Sequence, residues 1–540
     1  MDTHEVLNQV PTLEGYDLLA SDPLLADAVR REGGEWGLEE IGRWGRSIAL
    51  PDVYRLADEA NRNEPVLRTH DRYGHRSDTV EFHPAWHELL RLSVGDGLHS
   101  LPFEKPPGEG ARVVRDAKFT LMSQIEQGHG CPVSMTTSVL PALRANPDLH
   151  AEWERRILTR TYDPTFGPAQ DKTGALLGMG MTEKQGGSDL RTNTTTAAPV
   201  ADGEHLLTGH KWFTSAPMCD AFLVLAQAPG GLSCFLTPRF LPDGTRNDIR
   251  VIRLKDKLGN RSNASSEIEF DGTSAWLVGE EGRGVRTIIE MVNHTRLDCV
   301  VGSVGIMRQA VSQAAWHAAH RNAFGASLID KPLMTNVLAD LELEVEAATL
   351  MMMRLSGAFD RAETDPAEES FRRIATPVAK YWVTKRCTAV VREALECLGG
   401  NGYVEESILP RLFRESPVNA IWEGSGNVIA LDVTRAIARS PESLAVFLDE
   451  WFDGRAELEA FKRDIRSAVA DTLGDEALAR RLTGRLAQGW AVSLLDRHTP
   501  SEVADTYARS RLDGDHGSFF GTLHSALPLR AVAERAVPIA

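Results

Sequence analysis

The sequence predicts a mainly α-helical protein with a β domain in its middle, on three observations. Apolar residues recur at three- and four-residue spacing through long stretches before about residue 180 and after about residue 290. Between them, short β-branched and aromatic runs are separated by tight turns. The length, 540 residues, exceeds what one hydrophobic core supports, so about two to four domains are expected.

Residues 1–180 are expected to form a helical domain. Trp86, Leu89, Leu90 and Leu92 share one helical face, and Asn61-Arg-Asn-Glu-Pro65 and Lys105-Pro-Pro-Gly108 mark turns. Residues 181–290 change character. Ala221–Ala226, Leu232–Leu236 and Glu267–Phe270 read as strands, divided by Asp202-Gly203, Pro229-Gly-Gly231, Pro242-Asp-Gly244 and Asp271-Gly272.

Residues 291–440 return to helical periodicity and are expected to form an antiparallel bundle. Pro332 suits a first turn, and Met334, Val337, Leu338, Leu341, Val345, Ala348 and Met352 continue one apolar face from it. A second helix is predicted from about Pro377 to Leu398, stopped by Gly399-Gly400. Met351-Met-Met353 is expected to be core filler, the ordinary role of methionine at helical spacing. Residues 441–540, opened by Leu444, Phe447, Leu448 and Trp451, read as an additional helical domain.

Composition excludes several function classes. Six cysteines are scattered without a Cys-x-x-Cys pair, and no His-Glu-x-x-His, Walker-type loop or dinucleotide Gly-x-Gly-x-x-Gly is present. No metal site is therefore expected. A net charge of −17 opposes general affinity for nucleic acid or acidic membranes. The first residues lack the basic and apolar regions of a signal peptide, and no run approaches about 18 apolar residues. A cytoplasmic location is expected.

Three stretches carry chemistry. Gly178-Met-Gly-Met-Thr-Glu-Lys-Gln-Gly-Gly-Ser-Asp189 is too rich in small residues and exposed backbone for a packed element and reads as a loop that touches a polar planar ligand. His210-Lys-Trp-Phe-Thr-Ser215 places an indole beside two hydroxyls, and Ile421-Trp-Glu-Gly-Ser-Gly-Asn427 presents one carboxylate on a glycine-rich turn. In this order they resemble the flavin loops and catalytic carboxylate of the acyl-CoA dehydrogenase superfamily. Phe82-His-Pro-Ala-Trp86, Leu241-Pro-Asp-Gly244, Lys257-Leu-Gly-Asn-Arg-Ser-Asn-Ala-Ser265 and Pro417–Asn427 bring the resemblance to the AidB-type branch of alkylation-response flavoproteins.

The resemblance implies non-covalent FAD between the β domain and the following bundle. Backbone N–H groups around Met181, with the hydroxyls of Thr182 and Thr214, would serve the edge of the flavin ring, and Trp212, beside Phe213, would cover its face. Gly187, Ser188 and Ser215 match positions near the diphosphate and ring. Arg321-Asn-Ala-Phe324-Gly and Leu398-Gly399-Gly400-Asn-Gly match segments that complete the adenine end from a neighbouring subunit, which implies a homo-oligomer, with a tetramer expected.

Glu423 matches the base that removes an α proton from an acyl thioester such as an acyl-CoA, with hydride passing to flavin N5. Ile421 and Trp422 are the neighbours expected to raise its pKa by burial, while Gly424 and Gly426 allow the turn. Asn427 is expected to open a helix whose N-terminus faces the cofactor. From the residues alone, Glu423 could equally sit at a helix N-terminus for electrostatic reasons. Arg296 matches a position lining the active-site region, or else forms a surface pair with Asp298.

A second reading is a double-stranded-DNA-associated alkylation-response protein, with binding in the terminal helical domain. Its candidate cluster is Lys462, Arg463, Arg466, Arg480, Arg481 and Arg485, set among Asp449, Glu450, Asp453, Glu457 and further acids. Residues 441–540 are about four charges negative, against the basic excess that phosphate binding requires.

Overall fold

The computed structural model describes residues 3–200, 203–451 and 454–539. Asp202 of the Asp202-Gly203 turn and Asp453 of the C-terminal acidic group lie outside them. The chain divides into two compact units: residues 52–104 with 126–298, and residues 1–51 with 105–125 and 299–540.

The first of these units contains the β domain. Its opening hairpin, β1 (Val66–His70) and β2 (Arg76–Glu81), pairs antiparallel around the Asp71–His75 turn. The sequence reading placed this stretch in a helical domain. Polar residues and alternating partial exposure give the hairpin no apolar period to detect. Helices Pro84–Gly95, Gly130–Leu143 and Pro147–Ile157 follow in the same unit.

The sheet comprises β3 (Leu177–Gly180), β4 (Thr196–Pro199), β5 (Glu204–Ser215), β6 (Ala221–Ala228), β7 (Gly231–Pro238), β8 (Ile249–Leu254) and β9 (Ser265–Val278). The predicted runs thus lie within β6, β7 and β9. The order is β3-β6-β4-β5-β9-β7, with β8 beside β9. Because β6 also pairs with β7, five strands close into a ring and β3 and β8 attach outside it. Closure leaves fewer open edges, and β6, whose first six residues are all buried, runs through the core.

The other unit is helical apart from a two-residue-strand hairpin, β10 (Asn322–Ala323) and β11 (Ala326–Ser327). The helix Pro332–Arg361 starts at Pro332 as expected, and Met351, Met352 and Met353 are all buried. The next helix runs from Pro366 to Cys397, longer than the sequence suggested: Asp365 caps it through the Ala367 N–H (2.8 Å), and Pro377 lies inside rather than at its start. Proline costs an interior hydrogen bond, which the buried face on both sides of Pro377 outweighs.

The C-terminal segment belongs to this same unit. Phe447 and Trp490 pack on Phe371 of the Pro366–Cys397 helix, with ring centroids 5.6 Å from it in each case. Arg511 bonds buried Glu344 (2.8 Å) and Asp340 (2.5 Å) of the Pro332–Arg361 helix. Shared aromatic and ionic packing therefore ties residues after 440 into the bundle core.

Candidate functional site

The first group of predicted residues lies in the unit that holds the β sheet. On the path from Lys211 to Thr214, β5 gains one residue relative to β9: Lys211 faces Ile268 and Thr214 faces Ser266. This bulge frees the Trp212 amide from the β5–β9 ladder, and it donates instead to the Thr182 carbonyl at 2.7 Å. The structure thereby brings Thr182 and Trp212 together. Gly187 folds back on the same point, where an added Cβ would meet Thr182 Oγ1 at 2.3 Å. No larger residue fits there without moving the loop.

Met181, Thr182, Gly187, Trp212 and Ser215 are half-buried, and Ser188 and Phe213 are exposed. Among the described residues, the N–H groups of Thr182, Gly187 and Ser188 donate to no protein acceptor. An accessible loop with unused donors and a glycine-formed cradle suits the acceptor-rich edge of a planar ligand. Thr214 sits deeper than its neighbours. The bulge turns it inward against Gly180, and its side chain is fully buried with Oγ1 lacking a partner among the described residues.

Sequence reasoning missed what fixes this loop. Lys211 and Glu183 form an ion pair at 2.7 Å with both side chains fully buried. Glu183 also accepts from the Thr194 N–H (2.7 Å) and Thr195 N–H (3.2 Å). Burial works against ionisation of Glu183, but the Lys211 ammonium and these N–H donors hold its pKa down at about 2. Burial pushes Lys211 down to about 8 against the pull of its partner.

Trp212 is also less open than expected. The Lys255 ammonium sits 3.3 Å from the centroid of the Trp212 ring, and Lys255 is itself held by Glu267 at 2.7 Å. Lys184 and Arg253 approach the same ring at 5.6 and 5.7 Å, so the indole is set among three cations.

Arg296 and Asp298 are buried in the helix Gly284–His320, not the surface pair that was the alternative.

The second group lies in the helical unit. Glu423 adopts φ +58°, followed by Gly424 at +103°; the left-handed region is uncommon for a residue with a side chain. Lys380, itself buried, donates to the carbonyls on both sides, Trp422 O at 2.7 Å and Gly424 O at 2.5 Å. Trp422 Nε1 donates to Asn419 Oδ1 (3.0 Å), and Asn419 Nδ2 to Ser303 Oγ (3.1 Å). The turn is over-determined by its surroundings, as a strained functional residue requires. Ile421 is 64% exposed in the single chain and Trp422 and Glu423 are half-buried. Ile421 therefore points away from the packed interior of one chain, while Glu423 Oε2 is itself buried.

The helix after this turn begins at Gly426, one residue before Asn427, and no side chain caps it. Instead cations gather there: an added Cβ on Gly426 would lie 2.5 Å from Lys385 Cε, and Arg480 Nη1 reaches Asn427 Oδ1 at 3.5 Å. Arg480 also donates to the Tyr381 hydroxyl at 3.1 Å. Positive charges at the positive end of a helix repel it, and burial together with Arg480 lowers the Lys385 pKa. The arrangement is chemically matched to an anionic group.

Arg321 donates to the Asn8 carbonyl at the base of the β10–β11 hairpin, whose two-residue tip is Phe324 and Gly325, both at positive φ. Phe324 is 95% exposed. Gly399, at φ +59°, precedes the short helix Gly400–Tyr403, and Tyr403 is 80% exposed.

Comparison with known proteins assigns the chain. Residues 8–164 match the adaptive response protein AidB N-terminal domain, residues 178–273 the acyl-CoA dehydrogenase middle domain, and residues 282–438 the acyl-CoA dehydrogenase C-terminal domain. AidB of Escherichia coli (strain K12) is 46% identical over 514 residues, 95% of each chain. Acyl-CoA dehydrogenase family member 11 of Caenorhabditis elegans is 32% identical over 456 residues, 81% of this chain and 73% of that one. The crystal structure of Caenorhabditis elegans ACDH-11 in complex with C11-CoA superposes with a TM-score of 0.85 at 26% identity, covering 95% of this chain and 94% of that one. The chain belongs to the acyl-CoA dehydrogenase family, in the branch that carries the AidB amino-terminal domain.

Proposed function

We propose that the chain is an FAD-dependent oxidoreductase that acts on the CH–CH bond of an acyl thioester. The observation that carries this reading is the Glu423 turn: a carboxylate on left-handed backbone, clamped through both neighbouring carbonyls by buried Lys380. Such strain is retained where the direction of one side chain matters more than local stability. When bound, FAD supplies the acceptor for the hydride that leaves the β carbon.

The protein's own groups supply the rest. Glu423 takes the α proton, and its direction is set by Lys380 and by the Trp422–Asn419–Ser303 chain. The unused N–H groups of Thr182, Gly187 and Ser188 hold the cofactor's ring edge and nearby oxygens, with Met181, Phe213 and Ser215 around them, and Trp212 packs against the ring. Lys385, Arg480, Asn427 and the amides that open the Gly426–Arg439 helix meet a phosphate. Buried Arg296 orients the thioester end of the substrate. The relative solved with C11-CoA supports an acyl-CoA as substrate.

The assembly in this reading is a homotetramer. Phe324 at its hairpin tip and Tyr403 beside Gly399 and Gly400 present aromatic surface that a second copy would cover, and Arg321 stands at the base of the hairpin for the adenine end. No described helix is long and apolar enough to cross a membrane, which supports work in the cytoplasm on a water-soluble thioester.

Anaerobic bleaching of the bound flavin by a panel of acyl-CoAs tests the reaction. Bleaching by at least one thioester, lost in Glu423→Gln with FAD still bound, is expected. Retained bleaching in that variant removes Glu423 from the mechanism.

The alkylation-response reading has one supporting feature: Arg463 and Arg481 are exposed and form no ion pair among the described residues. The rest of that cluster is committed elsewhere. Lys462 is buried and bonds the Trp451 carbonyl (3.1 Å), Arg466 pairs with Asp449 (3.5 Å), Arg485 with Asp464 (3.5 Å), and Arg480 is beside Asn427. Two open arginines predict weak duplex binding whose log affinity falls with log salt at a slope of about −2. A titration giving a much steeper slope would favour DNA as the principal partner.

A further inference from the structure

A cleft lies within the β-domain unit between the β1–β2 hairpin and the start of β3 and β6. Its walls include Phe82, His87, Tyr162, Phe166, Asp220 and Arg239. Asp220 and Leu176 sit at the beginning of the parallel strands β6 and β3, whereas Thr182 follows the end of β3. The cavity is therefore at the opposite end of the sheet from the predicted cofactor loop.

Arg239 is the unusual member. It is 3% exposed, yet no carboxylate lies within ion-pair distance of it among the described residues. Its hydrogen bond runs from Nε to the Cys219 carbonyl (3.3 Å), and Nη2 has no partner. Guanidinium–ring contacts to Phe166 (5.4 Å) and Phe222 (5.9 Å) hold it from the sides. Burial and the nearby Arg246 bring its pKa down to about 10, so it stays charged at neutral pH. A buried guanidinium without a counter-ion is strongly unfavourable.

The acids around the cavity are already matched. Asp220 accepts from Lys172 (2.7 Å) and the Leu176 N–H (2.9 Å). Asp78 Oδ2 accepts from Arg76 (2.8 Å) and Arg246 (3.0 Å). Asp163 accepts from the N–H groups of Thr165 (3.0 Å) and Thr173 (3.1 Å). Arg76, Arg246 and Lys172 thus serve Asp78 and Asp220 directly, and Arg239 is the cation of this group that no carboxylate reaches within ion-pair distance among the described residues. Asp78 Oδ1, buried, has no hydrogen-bond partner and remains as an acceptor for a ligand hydroxyl. The Tyr162 hydroxyl and His87 Nδ1 bond each other at 2.7 Å, and their rings stack 5.9 Å apart, which extends the aromatic wall of Phe82 and Phe166.

We infer that this cavity is a second ligand site, which takes a small aromatic monocarboxylate with its carboxylate on Arg239 and its ring against Phe166 and Tyr162. A carboxylate supplies the acceptor that Arg239 Nη2 lacks and brings a counter-ion within ion-pair distance of the guanidinium, and a planar apolar body suits the walls. The site goes beyond the thioester reaction and shares no residue proposed for it.

Isothermal titration of the FAD-loaded full chain with benzoate, 4-hydroxybenzoate and the neutral isostere benzamide tests this. One site per chain is expected, with benzamide weaker than benzoate by at least about tenfold and 4-hydroxybenzoate tighter than benzoate. The flavin absorption spectrum should not change on binding. Arg239→Met should weaken benzoate by at least about tenfold, and Arg239→Lys should recover part of the loss. Should Arg239→Met fail to fold, the benzoate–benzamide comparison and Phe166→Ala, which should weaken both ligands, decide on folded protein. Equal affinity for benzoate and benzamide, benzoate binding that perturbs the flavin spectrum, unchanged affinity in folded Arg239→Met, or no binding at 10 mM benzoate (about 10 mM being far above a specific site's range) overturns the inference and leaves a water-filled polar cavity.

Discussion

Lys211→Met gives a direct measure of how the predicted cofactor loop is held. The substitution keeps the length of the buried stem and removes the ammonium that lies 2.7 Å from Glu183. Glu183 would then be a buried carboxylate supported only by the Thr194 and Thr195 N–H groups and neighbouring side chains. Breaking a buried pair from one side costs about 3–5 kcal/mol, whereas the intact pair is close to neutral because desolvation offsets the attraction. Glu183→Gln combined with Lys211→Met keeps an acceptor for Thr194 and removes the stranded charge, so it should recover at least about 2 kcal/mol of the loss.

The pH dependence provides an independent sign. In the native protein Glu183, held at about 2, contributes stability that is present above its unfolded pKa and lost as pH falls through about 2. Without Lys211 the folded pKa rises above the unfolded one, so the native state binds the extra proton and lowering the pH toward 5 should stabilise the single variant. Urea unfolding at pH 8 and pH 5, with FAD retention measured in parallel, reads both effects. A double variant no more stable than Lys211→Met, or a single variant within about 1 kcal/mol of the unmodified protein, would refute the assignment of the pair as the loop's anchor.

Three further outcomes are expected. Lys380→Met should keep FAD but slow anaerobic flavin reduction by an active acyl-CoA about 10²-fold, since released backbone misdirects Glu423; stopped-flow absorbance measures it, and an unchanged rate contradicts the clamp. Glu126, fully buried, is bonded to His129 Nδ1 at 2.5 Å and to the Ser262 hydroxyl at 2.6 Å, and His129 and Ser262 hold its pKa down at about 2 against burial. Its stabilisation, about 3 kcal/mol at neutral pH, should be present above about pH 4.5 and disappear as pH falls through about 2, and Glu126→Gln should show a flatter acid-unfolding curve over that window. Phe324→Asp should shift the assembly to smaller species by sedimentation velocity, with monomer stability within about 0.5 kcal/mol of the original because the side chain is exposed; an unchanged assembly removes the hairpin from the interface.

Long, strongly periodic elements could be read directly from the chain. The Pro332 helix start and the buried methionine run follow from spacing alone, because a continuous apolar face leaves one way to bury it. The β strands around residues 221–236 were equally visible, since strand-forming residues lay between turn dipeptides. The β1–β2 hairpin was not, because solvated strands carry polar residues on both faces. Pro377 misled as a helix start because a single proline in a long buried helix is tolerated when packing exceeds the lost bond.

The candidate residues stand out in the sequence, but the apparatus that holds them does not. Thr182, Trp212 and Glu423 stood out by local composition. Glu183 and Lys211 are 28 positions apart, and Lys380 acts on a carbonyl 42 positions away; neither spacing has a local signature. Thr214 illustrates the finer limit. A one-residue bulge decides which of three adjacent side chains points inward, and nothing in His210–Ser215 announces the bulge.

The left-handed backbone at position 423 sets two selective demands against each other. Glycine there would relieve a penalty of about 1–2 kcal/mol while deleting the only carboxylate on that turn. A library sorted for heat resistance would accumulate glycine at 423, and under the proposed role of Glu423 a library sorted for turnover would discard it. On that reading, consensus-style stabilisation of this protein has to hold that codon fixed.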